Sequence, residues 1–284
     1  MSKNSEQISF IELDKLIPFR DHPFRVKDDE QMQMLIESIR SVGVLVPGIV
    51  RPLENDTYEL IAGHRRKRAS ELLGLSVMPV IVKDVECDSA TVMMVDSNFQ
   101  REEILPSERA KAYKMKLEAI KRQGSRTDLT SVQVGQKLER KSSRDLIAEN
   151  SPDSSSQIQR YLRLNELIPG LLKMVDDRKI ALTPAAELSF LSKEEQELLL
   201  LTVESEQATP SLSQAQRMKQ LSKEGQLTDD MILKIMMEQK KTECWNLILP
   251  MNRVTKYFPK NCTPMKMEET IFKLLEGWAK HRNS

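Results

Sequence analysis

Gly63-His64-Arg65-Arg66-Lys67-Arg68-Ala69 sets four basic side chains directly behind a glycine, where a strand turns into a helix. Thr57-Tyr58-Glu59-Leu60-Ile61-Ala62 ahead of it reads as the strand. Arg66 to Leu73 behind it reads as the helix, stopped by Gly74. Glycine lets an anion approach the backbone, the free N–H groups and dipole of a helix start favour negative charge, and guanidinium forks match phosphate oxygens. The stretch therefore reads as a turn that holds phosphate. A solvated basic face is the competing reading of the same residues.

Two further stretches bear on that choice. Downstream lies Asn98-Phe99-Gln100-Arg101-Glu102-Glu103-Ile104-Leu105-Pro106-Ser107-Glu108-Arg109-Ala110, and upstream Gly43-Val44-Leu45-Val46-Pro47-Gly48-Ile49-Val50-Arg51. Together the three segments resemble the ParB family of DNA-partition proteins, specifically over residues 8–110 and more loosely afterwards. The resemblance implies an α+β architecture with a small ParB/sulfiredoxin-like mixed α/β domain at the N-terminus. It also implies CTP and Mg2+ as ligands. Gly63, His64, Arg65, Arg66 and Arg68 from the first box, with Asn98, Gln100 and Arg101 from the second, would hold the nucleotide, Asn98 would face the metal, and the upstream loop would lie beside the base.

Two positions depart from the family pattern. His64 stands where the family has glutamate, a change that arginines and backbone should tolerate. Ser97 stands where the second box begins with the glutamate of the family's hydrolytic centre, and a hydroxyl neither carries a full negative charge beside a metal nor acts as a general base. Asp96 is its neighbour, but adjacent residues on a helix point about 100° apart. Nucleotide binding is expected, with CTP hydrolysis weak or absent.

A chain of 284 residues suffices for about two domains, each with its own core. Charged residues make up 30%, no apolar run approaches the roughly 20 residues of a membrane span, and Met1-Ser2-Lys3-Asn4-Ser5-Glu6 lacks a signal peptide's apolar core. The expectation is a cytoplasmic protein with no membrane contact. Cys87, Cys244 and Cys262 are scattered and lack CxxC spacing, which argues against a disulfide framework or a zinc site. The net charge of +1 conceals a basic middle. Lys121 to Asn165 holds nine basic against five acidic residues, which suggests a polyanionic partner.

Patterning divides the chain into four parts. Residues 1–110 read as the nucleotide-binding domain: a strand at 8–17, a helix capped by Asp28 with Met32, Leu35, Ile36, Ile39 and Val42 on its apolar side, strands at Val44–Arg51, Tyr58–Ala62 and Met78–Val85, and a helix from Asp88. A longer helix starts at Pro106 and is expected to close at Gly124. Residues 111–204 read as all-helical, 205–228 as an exposed linker, and 229–284 as a small, mostly helical C-terminal unit. That last unit has little core of its own, which favours self-association, with packing against the middle domain as the other reading.

Within the middle domain, Ser142–Glu149, the turn Asn150-Ser151-Pro152-Asp153 and Ser154–Leu164 have the order of a helix-turn-helix. Its second helix would offer Ser154, Ser155, Ser156, Gln157, Gln159, Arg160 and Arg163 to DNA, with Lys141 and Arg144 on phosphates nearby. An ordinary helical hairpin with a polar outside fits the same pattern. The family places a helix-turn-helix at this position, which favours DNA. The resemblance then implies a homodimer on a palindromic double-stranded site, a ParA-type partner ATPase, and association with the nucleoid or with the DNA of a plasmid or mobile element. No GxxxxGK[ST] occurs in this chain, so the ATPase would be another protein. The alternatives are a transcriptional regulator of a plasmid or mobile element, and a ParB-like nuclease. A sulfiredoxin would need a cysteine in the Gly63-His64-Arg65 turn, and a nuclease would want clustered carboxylates or histidines for metals, whereas His22, His64 and His281 are far apart in sequence.

Overall fold

The structure, a computed structural model, describes residues 7–100, 104–130, 147–148, 151–238, 254–259 and 263–282. The chain divides into two compact units, Met1–Glu238 and Gln239–Ser284.

The first unit begins with a five-stranded mixed sheet. Its strands are β1 (Ile8–Glu12), β2 (Leu16–Pro18), β3 (Gly48–Pro52), β4 (Tyr58–Ala62) and β5 (Val77–Val82), in the order β1-β5-β3-β4-β2. β1 with β5 and β3 with β4 are antiparallel, while β3 with β5 and β2 with β4 run parallel. The first strand is shorter than its alternation suggested, because a 3-10 turn at Leu13–Lys15 lifts the chain from one edge of the sheet and delivers Leu16 to the other. Ile11, Leu13, Leu16, Val50, Leu60, Met78 and Val80 form the buried layer on one face. Burying such side chains contributes roughly 1.5–3 kcal/mol each and holds the strand order.

Helix α1 (Glu30–Val42) buries Met32, Ile36 and Ile39 against Ala69 of α2 (His64–Leu72). Its cap is Asp29, not Asp28, because the Asp29 carboxylate accepts from Met32 N at 2.9 Å. Asp28 instead binds Arg68, which holds its carboxyl below the usual carboxylate value. The strand expected from Val44 starts only at Gly48. The carbonyls of Val46 and Pro47 accept from the Arg66 guanidinium, so those residues are held as a loop. Glu54-Asn55-Asp56 forms the expected turn, with Asn55 and Asp56 at positive φ.

Helix α3 (Cys87–Phe99) packs on α4 (Pro106–Thr130). Gly124 does not close α4. A glycine inside a helix costs about 1 kcal/mol and ends it only where the backbone turns left-handed, as Gly43 and Gly74 do and Gly124 does not. The boundary expected after residue 110 therefore falls inside one continuous helix. One core joins Phe19, Phe24 and Ile61 to Met94, Phe99, Tyr113 and Ile158.

Helices α5 (Ser155–Leu164), α6 (Pro169–Asp176), α7 (Leu182–Leu188), α8 (Lys193–Glu206), α9 (Leu212–Lys223) and α10 (Asp229–Met237) share a second core. Half of the expected linker at 205–228 is α9, with Ala215 and Met218 buried and the Gln214 amide donating to Ile235 O at 2.6 Å. Its apolar face is narrow, which is why composition alone read as exposed. α10 buries Ile232, Ile235 and Met236 in the same core, so the expected C-terminal unit loses its first helix to the main one. Of the second unit, the described part is a 3-10 turn at Thr255–Tyr257 and a long helix, α11 (Pro264–Arg282), with Met267 buried and Met265, Phe272, Leu274 and Leu275 exposed. No helix among the described residues is long and apolar enough to cross a membrane.

Candidate nucleotide groove and DNA-facing helix

The basic turn forms as its sequence predicts. β4 delivers Gly63, whose φ of 111° lies in a region that L side chains rarely adopt, and α2 starts at the next residue. A Cβ at Gly63 would stand 3.2 Å from Gly48 Cα, so this crossing of β3 and β4 ends needs glycine for space as well as for angle. His64 at the helix start accepts from Phe19 N at 3.4 Å, and its ring lies 3.9 Å from that of His22. The place held by glutamate in the family is thereby packed into the fold.

The three arginines of the turn have different tasks. Arg65 donates to Asp29 Oδ1 at 3.0 Å and to Gln31 Oε1 at 3.1 Å. Arg66 clamps the Val46–Pro47 loop, and burial pushes its guanidinium below its ordinary value. Arg68 binds Asp28 through two nitrogens on the exposed side of α2.

Arg65 also lines a groove of about 840 Å³, together with Arg25, Lys27, Asp29, Glu30, Gln31, Gln100, Glu108, Asp176 and Arg178. The groove thus brings together Arg65 of the first box, Gln100 and Glu108 of the second, and a turn that follows α6. Gly63, His64, Arg66, Arg68 and Asn98 are not among its lining residues. Arg101 lies outside the described residues. Asn98 donates its amide to Met94 O at 2.8 Å, along its own helix. Among the described residues no cluster of three His, Cys, Asp or Glu side chains could hold a metal.

Ser97 is exposed, and its hydroxyl returns to Met94 O at 2.9 Å. Asp96 is committed to Lys116 of α4, a lysine whose side chain is only 3% exposed. The neighbouring acid therefore does not stand in for the missing glutamate.

Helix α5 begins where the helix-turn-helix reading places it. Ser154 caps it in a capping box: Ser154 Oγ accepts from Gln157 N at 3.3 Å and Gln157 Oε1 from Ser154 N at 3.2 Å. Ile158 and Leu164 are buried behind it. Ser156, Gln157 and Gln159 are exposed, while Ser155 and Arg160 are half-buried. Arg163 turns the other way. It donates to Ser189 Oγ at 2.9 Å and to Ser189 O at 2.6 Å, with its guanidinium 3.8 Å from the centre of the Phe190 ring. The guanidinium expected to face DNA is thus engaged in a contact that fixes α5 on α7. Lys141, Arg144 and nearly all of Ser142–Glu149 lie outside the described residues.

Sequence reasoning missed the groove's other cations. Arg25 and Lys27 stand just before the α1 cap, a local signal that could have been read. Arg178 is remote in sequence from both boxes, and only folding brings it there.

Known proteins resemble this chain in sequence. Residues 1–99 match the family described as ParB N-terminal domain. A nucleoid occlusion protein of Listeria monocytogenes is 30% identical over 196 residues, covering 69% of this chain and 61% of that protein. A probable chromosome-partitioning protein ParB of Xylella fastidiosa is 29% identical over 189 residues, covering 66% and 54%. The chain therefore spans less than two thirds of these relatives. Caulobacter crescentus ParB, solved in complex with the centromeric parS site, aligns with a TM-score of 0.46 at 20% identity over 76% of this chain and 99% of that one.

Proposed function

We propose, from the match of residues 1–99 to the ParB N-terminal domain family, that the chain is a DNA-binding partition or nucleoid-occlusion protein whose N-terminal domain binds CTP. The observation that carries the nucleotide part is the groove, which joins Arg65 and Gln100 from two separate boxes in one cavity large enough for a nucleotide. Arg65 would leave Asp29 for the triphosphate, since a phosphate offers the same forked acceptor with more charge. Mg2+ would bind with the phosphates and Asn98. Slow turnover follows from Ser97.

DNA binding is assigned to α5. Ser155, Ser156, Gln159 and Arg160 offer hydroxyl, amide and guanidinium groups to base edges and phosphates, and Ile158 and Leu164 hold the helix from behind. A palindromic site, a homodimer, acting in part through α11, and a ParA-type ATPase complete the reading. The exposed Phe272, Leu274 and Leu275 support self-association of that last helix.

Calorimetry of the full chain with CTP, alone and with DNA carrying its native site, tests the core of this proposal. Binding of CTP that depends on Arg65 is expected. No heat with CTP in either condition overturns the nucleotide reading. The Listeria relative's name supports the occlusion role as much as partition. Segregation needs one marked locus, whereas marking a whole nucleoid needs sites spread along it, so mapping occupied sites across the host genome separates the two.

A further inference from the structure

Among the described residues the groove is lined by four cations and four acids, and three of these acids have partners among the described residues while three of these cations have none. Asp29 accepts from Met32 N and from Arg65, Glu108 accepts from Arg25 N at 2.9 Å, and Asp176 accepts from Ser107 N at 2.9 Å and Ser107 Oγ at 2.6 Å. Of the described acids only Glu30 is left over. Arg25, Lys27 and Arg178 form no ion pair with any described residue. Like charges gathered in one cavity repel one another, and that cost is offset when an anion enters.

Arg178 is the most informative of the three. It has a φ of 58°, in the left-handed region that costs a non-glycine residue on the order of 1–2 kcal/mol. The turn is pinned from both sides: Arg178 N donates to Val175 O at 3.1 Å, and Asp176 grips the first turn of α4 through Ser107. Ser107 belongs to the second box. The same clamp that fixes the start of α4 thus brings an arginine from the helical region to the groove wall.

We propose that Arg178, with Arg25 and Lys27, forms an anion-binding set that holds the phosphates of the nucleotide together with Arg65 of the basic turn. The inference rests on the nucleotide reading above and adds binding residues that lie outside both boxes. Nucleotide held between Arg65 and Arg178 touches the sheet domain and the helical region at once. Occupancy of the groove then stiffens the Ser107–Asp176 clamp and, through it, the base of the helices that carry α5.

The test is CTP titration of the full chain and three variants by calorimetry at low and moderate salt. Arg178→Asn removes the charge yet keeps a residue that tolerates left-handed backbone; Arg178→Lys keeps the charge; Arg65→Ala is the reference for the basic turn. Arg178→Asn should weaken CTP binding about tenfold, the lower end for a charge-assisted contact, and flatten its salt dependence. Arg178→Lys should retain most of the affinity, and the ligand-free melting temperature should be unchanged in both. If the wild type binds CTP and Arg178→Asn binds it equally well, this inference falls and the nucleotide reading stands. It falls likewise if Arg178→Asn loses only DNA affinity, because the set then serves DNA phosphates. If the wild type binds no CTP, both fall together.

Discussion

Arg109 Nη1 lies 2.8 Å from Asp153 Oδ2, an ion pair that ties the second box to the residue just before the cap of α5. The same carboxylate accepts from Tyr113 Oη at 2.6 Å, and Asp153 is only 7% exposed. The Arg109 guanidinium also lies 5.5 Å from the Tyr161 ring, on α5 itself. The second box and α5 thus share one polar joint.

Removing its carboxylate should be costly. Asp153→Ala leaves a guanidinium and a phenol in a mostly buried place without their acceptor, and a loss of about 3 kcal/mol is expected. Urea denaturation measures it. A midpoint within error of the wild type would show that the joint adds nothing to the fold.

The same joint predicts behaviour at high pH. Burial, and next the Asp153 acceptor, push the Tyr113 phenol well above its ordinary value. A raised folded value means that the stabilisation is fully present below about pH 10, the unfolded value, and is lost as pH rises toward the folded one. Absorbance at 295 nm should therefore show a late-ionising tyrosine that disappears in Tyr113→Phe. A Tyr113→Phe titration that overlays the wild type counts against it.

Arg65 and Arg66 should part company when replaced. Arg65→Ala removes an exposed pairing with Asp29 and should weaken CTP binding strongly with little change in melting temperature. Arg66→Ala frees the Val46 and Pro47 carbonyls and should lower both. Equal melting temperatures for the two variants would contradict the division of tasks.

Ser97→Glu should raise CTP turnover. The side chain is exposed on the last turn of α3, so a longer residue fits without repacking, and the carboxylate restores an acidic group beside Asn98. Phosphate release by the two proteins decides it. Wild-type turnover equal to that of the variant means that the second box works without this acid.

Replacements on α5 should separate contact from support. Gln157→Ala breaks the capping box, at about 1 kcal/mol, and if the side chain also reaches a base it lowers discrimination between sites. Arg163→Ala breaks the Ser189 and Phe190 contacts and should cost about 1–3 kcal/mol of stability. Footprinting completes the set. Protection unaltered by combined loss of Gln157, Gln159 and Arg160 takes this helix off the DNA.

Local chemistry made much of this protein legible in advance. The left-handed Gly63, the β4–α2 switch, the Ser154 cap and the buried side of α5 are set by residues within a few positions of one another, and such signals survive in a linear reading. Resemblance across the two boxes supplied the family. Boundaries were less legible where a distant partner decides them. Val44–Pro47 has the composition of a strand but is held as a loop by Arg66, and α9 looked exposed until α7, α8 and α10 covered its narrow apolar face.

What the sequence determined by itself is a mixed α/β domain with a phosphate-suited turn, followed by helices that include a well-capped, polar-faced one. Which charges meet was decided only by the tertiary structure. Ion pairs between remote residues depend on where rigid elements end in space, and nothing in the spacing of Asp28, Arg68, Arg163, Ser189, Arg65 and Arg178 encodes those meetings. Packing turned one predicted DNA contact into a structural clamp, and it brought Arg178, which lies in neither box, to the groove that both boxes line.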